Sequence, residues 1–116
     1  PQTYANMATA AGLKAIATYA DVVGAHKDLV IPVKDGALGT PTTLVKDAHA
    51  LNLAVHIWTL RPENAFLPAA YKKAPTTDNT VRGDSVSEIQ TFLKAGVDGF
   101  FTDDSAVGRL AVDSLK

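Results

Sequence analysis

The chain has 116 residues, is 47% hydrophobic and 20% charged, and carries a formal net charge of −1, the composition of one globular unit. The near-neutral balance gives no electrostatic footprint for nucleic acid or an anionic membrane, and no apolar run approaches the ~18 residues of a membrane-spanning helix. The absence of cysteine excludes disulfides, zinc–thiolate sites and a thiol nucleophile.

The chain begins Pro1-Gln2-Thr3, with no initiator Met and no charged-then-apolar leader, which predicts a piece of a longer chain. A loop or frayed turn is expected first. A helix follows from about Gly12 to Ala20, with Leu13, Ile16, Ala17 and Ala20 on one face. Asp21-Val22-Val23-Gly24 reads as a short buried strand or its stub. Residues 25–40 hold Pro32, Gly36 and Gly39 and read as a loop, with Leu29–Val33 a short extra strand inside it.

Thr40-Pro41 is expected to open the next helix, Thr40 as cap and Pro41 at the first helical position. Leu44, Val45, Ala48 and Leu51 share its apolar face, and Asn52 suits a left-handed residue just past its end. The almost continuous apolar run Leu53–Leu60 reads as a strand covered on both faces, as in a parallel sheet. Residues 61–84 form a long connection containing Pro62, Pro68, Pro75 and Gly83.

Ser85-Val86-Ser87-Glu88 has the pattern of a capping box, with Val86, Ile89, Phe92 and Leu93 inward on a helix that ends at Gly96. Val97–Asp103 reads as the third strand. Ser105 is expected to cap a last helix with Ala106, Val107, Leu110 and Ala111 inward. Alternating helices and strands imply an α/β fold with parallel strands and right-handed crossovers. Three strands leave two edges unpaired, so self-association is expected.

Several segments resemble one family. Val55-His56-Ile57-Trp58-Thr59-Leu60-Arg61 is similar to the penultimate strand of glycerophosphodiester phosphodiesterases, and Gly96-Val97-Asp98-Gly99-Phe100-Phe101-Thr102-Asp103 to their last strand. Tyr19-Ala20-Asp21-Val22-Val23-Gly24 resembles a segment of the bacterial periplasmic branch. Val45-Lys46-Asp47-Ala48-His49 matches the helix between, and Glu63-Asn64-Ala65-Phe66-Leu67-Pro68 resembles that branch's extended loop. The segments come in order over about residues 10–112. Departures fall at Ala25, where the family has Pro after Gly24, and at Ser105, where it commonly has Pro.

The resemblance implies a (β/α)8 barrel of about 250 residues. Residues 1–116 would supply its C-terminal part, about three β/α units, with residues 61–84 a long βα loop. It implies hydrolysis of glycerophosphodiesters, small-molecule substrates, to glycerol 3-phosphate and an alcohol. A divalent cation, Ca²⁺ or Mg²⁺, would assist, with its ligands expected outside this segment. The family's His-Arg-Gly, Glu-x-Asp, second His and Glu-x-Lys are not in this chain, so the chain alone is expected to be inactive. The run Arg61-Pro62-Glu63-Asn64 echoes the family's first catalytic segment only superficially. The branch resemblance implies a periplasmic or exported location.

Barrel sites collect at the C-terminal ends of strands, where Trp58, Thr59, Arg61, Thr102 and Asp103 fall. His56 and Trp58 share parity and one strand face, with Trp58 nearer the mouth. Trp58 suits the glycerol or alcohol group, with core packing as the alternative. Arg61 either reaches phosphate or pairs with Glu63 or Asp78. Asp103 either caps the last helix, holds a neighbouring polar group or enters the site. His56 reads as a hydrogen-bonded interior histidine rather than a base. His26 follows the first strand toward the mouth, His49 is mid-helix and exposed, and Lys72-Lys73 is a solvated pair. The three histidines lack metal-ligand spacing. A fragment of another barrel enzyme and a non-catalytic half-barrel module are the competing readings.

Overall fold

A computed structural model describes residues 2–115. The chain runs α1 (Tyr4–Met7), α2 (Ala10–Ile16), β1 (Val22–His26), β2 (Val33–Lys34), β3 (Ala37–Leu38), α3 (Leu44–His49), β4 (Ala54–Leu60), α4 (Ser85–Lys94), β5 (Gly99–Thr102) and α5 (Ser105–Asp113). β1, β4 and β5 form one parallel sheet, as the alternation of elements predicts, and β4 is its central strand. His26 aligns with Trp58 and His56 with Gly99, and the β4–β5 register shifts between Ile57 and Leu60.

Helices cover one face of this sheet. Val55, Ile57 and Leu60 point into that layer and pack with Leu13, Leu44, Ala48, Ile89 and Phe92 in a single core. The other face carries His56 and Trp58, with Val22, Trp58 and Phe101 exposed. Parallel sheets are ordinarily covered on both faces. One open face with helices behind it is the arrangement of a barrel wall. β1 and β5 are the sheet edges, and an apolar groove of about 550 Å³ runs along β1, lined by Tyr4, Met7, Ile16, Tyr19, Val22 and Trp58 among others.

Several boundaries differ from the sequence reading, each for a local reason. The first helix ends at Ile16 rather than Ala20 and begins earlier, because Thr9 Oγ1 accepts from Gly12 N at 3.1 Å and caps it. The preceding turn is also helical, capped by Thr3. Leu29–Val33 does not form a strand. Lys27–Leu29 is a 3₁₀ turn, Val30 and Ile31 enter the core, and only Val33–Lys34 pairs, as one arm of a hairpin with Ala37–Leu38. Its turn residues Asp35 and Gly36 both have positive φ, 53° and 78°, the Asp-Gly signature of a tight hairpin.

α3 starts at Leu44, not at Pro41. Thr42 is tied back to the preceding loop, its N–H to Val30 O at 2.8 Å and its hydroxyl to Leu29 O at 2.6 Å, and Thr43 takes the cap position. Asn52 adopts φ 59°, the expected left-handed geometry. α4 is capped by Asp84, which accepts from Ser87 N at 3.1 Å, so Ser85 and Glu88 form no capping box. Asp104 rather than Ser105 caps α5, accepting from Val107 N at 3.0 Å. On that helix Ala111 is buried and Val107 packs against the core as expected, but Ala106 and Leu110 are exposed and Gly108 is buried instead.

The long connection of residues 61–84 is closed at its neck. Asn64 N donates to Val81 O at 2.7 Å and Gly83 N to Pro62 O at 2.8 Å. Asn64 is fully buried; its amide donates to Lys73 O at 2.7 Å and to Asp78 O at 3.2 Å, and accepts from Lys73 N at 3.0 Å. The Asn64 side chain thus adds to the backbone neck bonds by tying Lys73 and Asp78 to the start of the excursion.

Candidate functional site at the strand ends

The C-terminal ends of β1 and β4 converge on a cleft of about 200 Å³ lined by His26, Lys27, Trp58, Thr59, Arg61 and Phe66. His26 is the last residue of β1 and Trp58 its register partner, so parallel pairing alone brings their rings together. They meet edge to face, centroids 4.9 Å apart. The Trp58 indole N–H donates to Gly24 O at 3.3 Å, fixing the ring against the neighbouring strand. His26 Nδ1 accepts from Asp28 N at 3.2 Å, a geometry that assigns the ring proton of the neutral form to Nε2.

Arg61 leaves the end of β4 and turns toward β5. Its Nε lies 3.1 Å from Asp103 Oδ2. The pair is close in distance but poorly aligned, so this Nε, shielded from solvent, has no hydrogen-bond partner. The guanidinium sits over the Phe66 ring, 4.8 Å from its centroid. Asp103 is therefore the partner of Arg61, in place of the expected Glu63 or Asp78. Asp78 instead accepts from the Thr80 hydroxyl and N–H, which hold its carboxyl below the usual range. Asp103 does not cap the last helix. Its neighbour Asp104 does so and also pairs with Arg82; the Val107 N–H and then Arg82 lower its pKa.

His56 stands two residues before Trp58, over Gly99 and beside Phe101, ring centroids 6.5 Å apart. A Cβ at Gly99 would lie 2.8 Å from His56 Cδ2, so the glycine makes room for this ring. His56 is not among the residues lining the cleft. His49 is the last residue of α3 rather than mid-helix, and its Nε2 is 2.7 Å from Asp98 Oδ2. The same oxygen accepts from Val55 N at 2.8 Å, so this pair ties helix to sheet away from the cleft. Burial works against the Asp98 carboxylate, but hydrogen bonds from Val55 and His49 outweigh it and lower its pKa. Lys72 and Lys73 lie in the long connection, outside the cleft.

Two residues belong to the site's framework that the sequence did not assign to it: Lys27, and Glu88, which read only as part of a capping box. Lys27, just past β1, binds Glu88 Oε2 at 2.9 Å and Phe66 O at 3.4 Å. Glu88 is fully buried, and its Oε1 has no partner. Burial pushes its carboxyl up, and the Lys27 ammonium opposes that shift. A signal was available: Glu88 precedes Phe92 by one helical turn, so a charge falls on an otherwise apolar face.

Among the described residues, no group of three or more His, Asp or Glu side chains converges to hold a metal ion. Asp103 and Asp104 are each engaged by an arginine. The residues present thus do not fit a divalent-cation centre of their own.

The glycerophosphoryl diester phosphodiesterase family matches residues 1–107. A curated relative, glycerophosphodiester phosphodiesterase GDPD6 of Arabidopsis thaliana, is 40% identical over 103 residues, covering 88% of this chain and 25% of the relative. The chain thus spans about a quarter of that relative's length. The match runs through the sheet, the cleft and the long connection, and on it the chain belongs to the glycerophosphoryl diester phosphodiesterase family.

Proposed function

We propose that this chain is the C-terminal wall, about three β/α units, of a (β/α)8 barrel that hydrolyses glycerophosphodiesters to glycerol 3-phosphate and an alcohol. The observation that carries the reading is the meeting of Trp58 and Arg61 in one cleft at the C-terminal strand ends. The family membership and the sheet with one uncovered face support it.

In such a reaction water attacks phosphorus, the bond to the alcohol oxygen breaks, and the leaving oxygen takes a proton. Trp58 offers a flat apolar face to the glycerol or alcohol carbons. Arg61 offers charge-assisted hydrogen bonds to the phosphate, exchanging its Asp103 partner for the substrate. The resemblance assigns the divalent cation and the acid–base groups to other parts of the barrel, and no step here runs through them. The unpaired edges of β1 and β5, with Val22 exposed on β1 and Phe101 on β5, support pairing with the remaining barrel strands, and self-association where those are absent. An exported location is part of the reading, on the resemblance of Tyr19–Gly24 and Glu63–Pro68.

The test is glycerol 3-phosphate release from glycerophosphocholine with Ca²⁺ or Mg²⁺, and then with EDTA. The 116-residue chain is assayed beside one extended upstream to a full barrel. Activity confined to the extended chain is expected. Metal-dependent turnover by the short chain would overturn the assignment of the catalytic groups to other barrel parts. No turnover by either would overturn the enzymatic reading and favour a binding module.

A further inference from the structure

Lys27 and Arg61 line the same cleft as Trp58, and each is a cation held in place by a carboxylate. An ammonium has three N–H donors. Glu88 Oε2 and Phe66 O take two of those on Lys27, leaving one without a partner among the described residues. The Arg61 side chain is 42% exposed, and with Nε shielded beside Asp103 it is the Nη end of its guanidinium that is open to a ligand. The two cations are also mechanically linked. Lys27 grips the carbonyl of Phe66, and the ring of Phe66 carries the Arg61 guanidinium.

We propose that Lys27 and Arg61 form a two-sided clamp for the phosphate of a glycerol phosphomonoester or diester, with buried Glu88 as the positioning residue that seats Lys27. The proposal rests on the functional reading above and adds to it a second anion contact and the residue that sets it. A buried carboxylate suits this task. It holds the ammonium at a fixed point, and being fully buried it does not itself face the incoming phosphate. Asp103, more than half exposed, is the carboxylate that an anion displaces from Arg61.

Trp58 is the sole tryptophan and lines the cleft, so intrinsic fluorescence reads the site directly. The 116-residue chain is titrated with glycerol 3-phosphate, and with glycerol as the uncharged control. A saturable change with glycerol 3-phosphate alone, weakened by added salt, is expected. The paired substitution Lys27→Met with Glu88→Leu removes both charges together, so that neither is left buried alone. It is expected to weaken binding about tenfold or more, the loss of one charge-assisted hydrogen bond, and to flatten the salt dependence. Lys27→Arg is expected to retain most of the affinity. Glu88→Gln is expected to weaken binding while leaving the free protein's Trp58 emission unchanged. A merely structural Glu88 would move the unfolding midpoint and not the affinity, which overturns its positioning role. Unchanged affinity in the paired variant, with Arg61→Met weakened, overturns the clamp but leaves the Trp58–Arg61 reading standing. No saturable response in the unmodified chain overturns the clamp, while turnover by the chain extended to a full barrel decides the functional reading separately.

Discussion

Lys27 and Glu88 lie 61 residues apart in sequence and meet at 2.9 Å, one just past the end of β1 and the other on the first turn of α4. Glu88 is fully buried and Lys27 nearly so. The pair joins the mouth of the cleft to the helix that follows the long connection, and through Phe66 O it also fixes the start of that connection.

Breaking this pair from one side leaves an uncompensated charge in the interior. Glu88→Ala is expected to destabilise the chain by about 3–5 kcal/mol, whereas Lys27→Met combined with Glu88→Leu is expected to be close to neutral. Urea unfolding of the single and paired variants checks this. An additive paired variant would show that the two residues do not interact.

Asn64 makes several buried hydrogen bonds to the backbone of its own loop. At about 1 kcal/mol net for each, Asn64→Ala is expected to cost about 2–3 kcal/mol. Limited proteolysis is expected to move its first cut into residues 61–84. An unchanged cleavage pattern would mean that the neck bonds suffice without Asn64.

The folded-state pKa of Asp98 is lowered. Its contribution to stability is therefore present above the unfolded value of 3.8 and is lost as pH falls through the folded value. Asp98→Asn is expected to remove that acid-side loss. The stability difference between wild type and variant should shrink as the pH is lowered through this window. A pH-independent difference would show that the carboxylate charge contributes nothing.

In the full barrel, Arg61→Lys is expected to lower kcat/KM about ten- to a hundredfold, because an ammonium reproduces neither the planar fork nor the stacking on Phe66. Trp58→Phe should cost less than Trp58→Ala, since the ring face is kept. Steady-state kinetics on glycerophosphocholine would read both, and wild-type values for Arg61→Lys would remove Arg61 from the site.

The open edge of β1 is expected to drive association of the isolated chain. Light scattering should give a mass above the 12.2 kDa of one chain, shifted toward the monomer by Val22→Lys, which places a charge on the exposed edge. A monomeric mass for the unmodified chain would argue against edge pairing.

The order of elements and the central strand were legible in the sequence because their signals are local. Leu53–Leu60 is a continuous apolar run, Asn52 suits a left-handed φ, and the shared parity of His56 and Trp58 follows from the two-residue period of any strand. The caps were less legible. Asp84 and Asp104 each lie beside a residue that can also cap, and a hydrogen bond decides between them, as Thr42's bonds to Leu29 and Val30 moved the start of α3.

Sequence by itself determined the strand and helix periodicity, the face on which Trp58 stands, and the motifs that carry the family resemblance, because each depends on residues close in the chain. Tertiary structure alone decided which charges meet. Arg61 had nearer carboxylates at Glu63 and Asp78, yet parallel pairing of β4 with β5 brought Asp103 to it instead. Lys27 found Glu88 only because the long connection folds back over the strand ends. Ion pairs are chosen by distance in space, and distance across 61 residues is set by packing rather than by any local pattern.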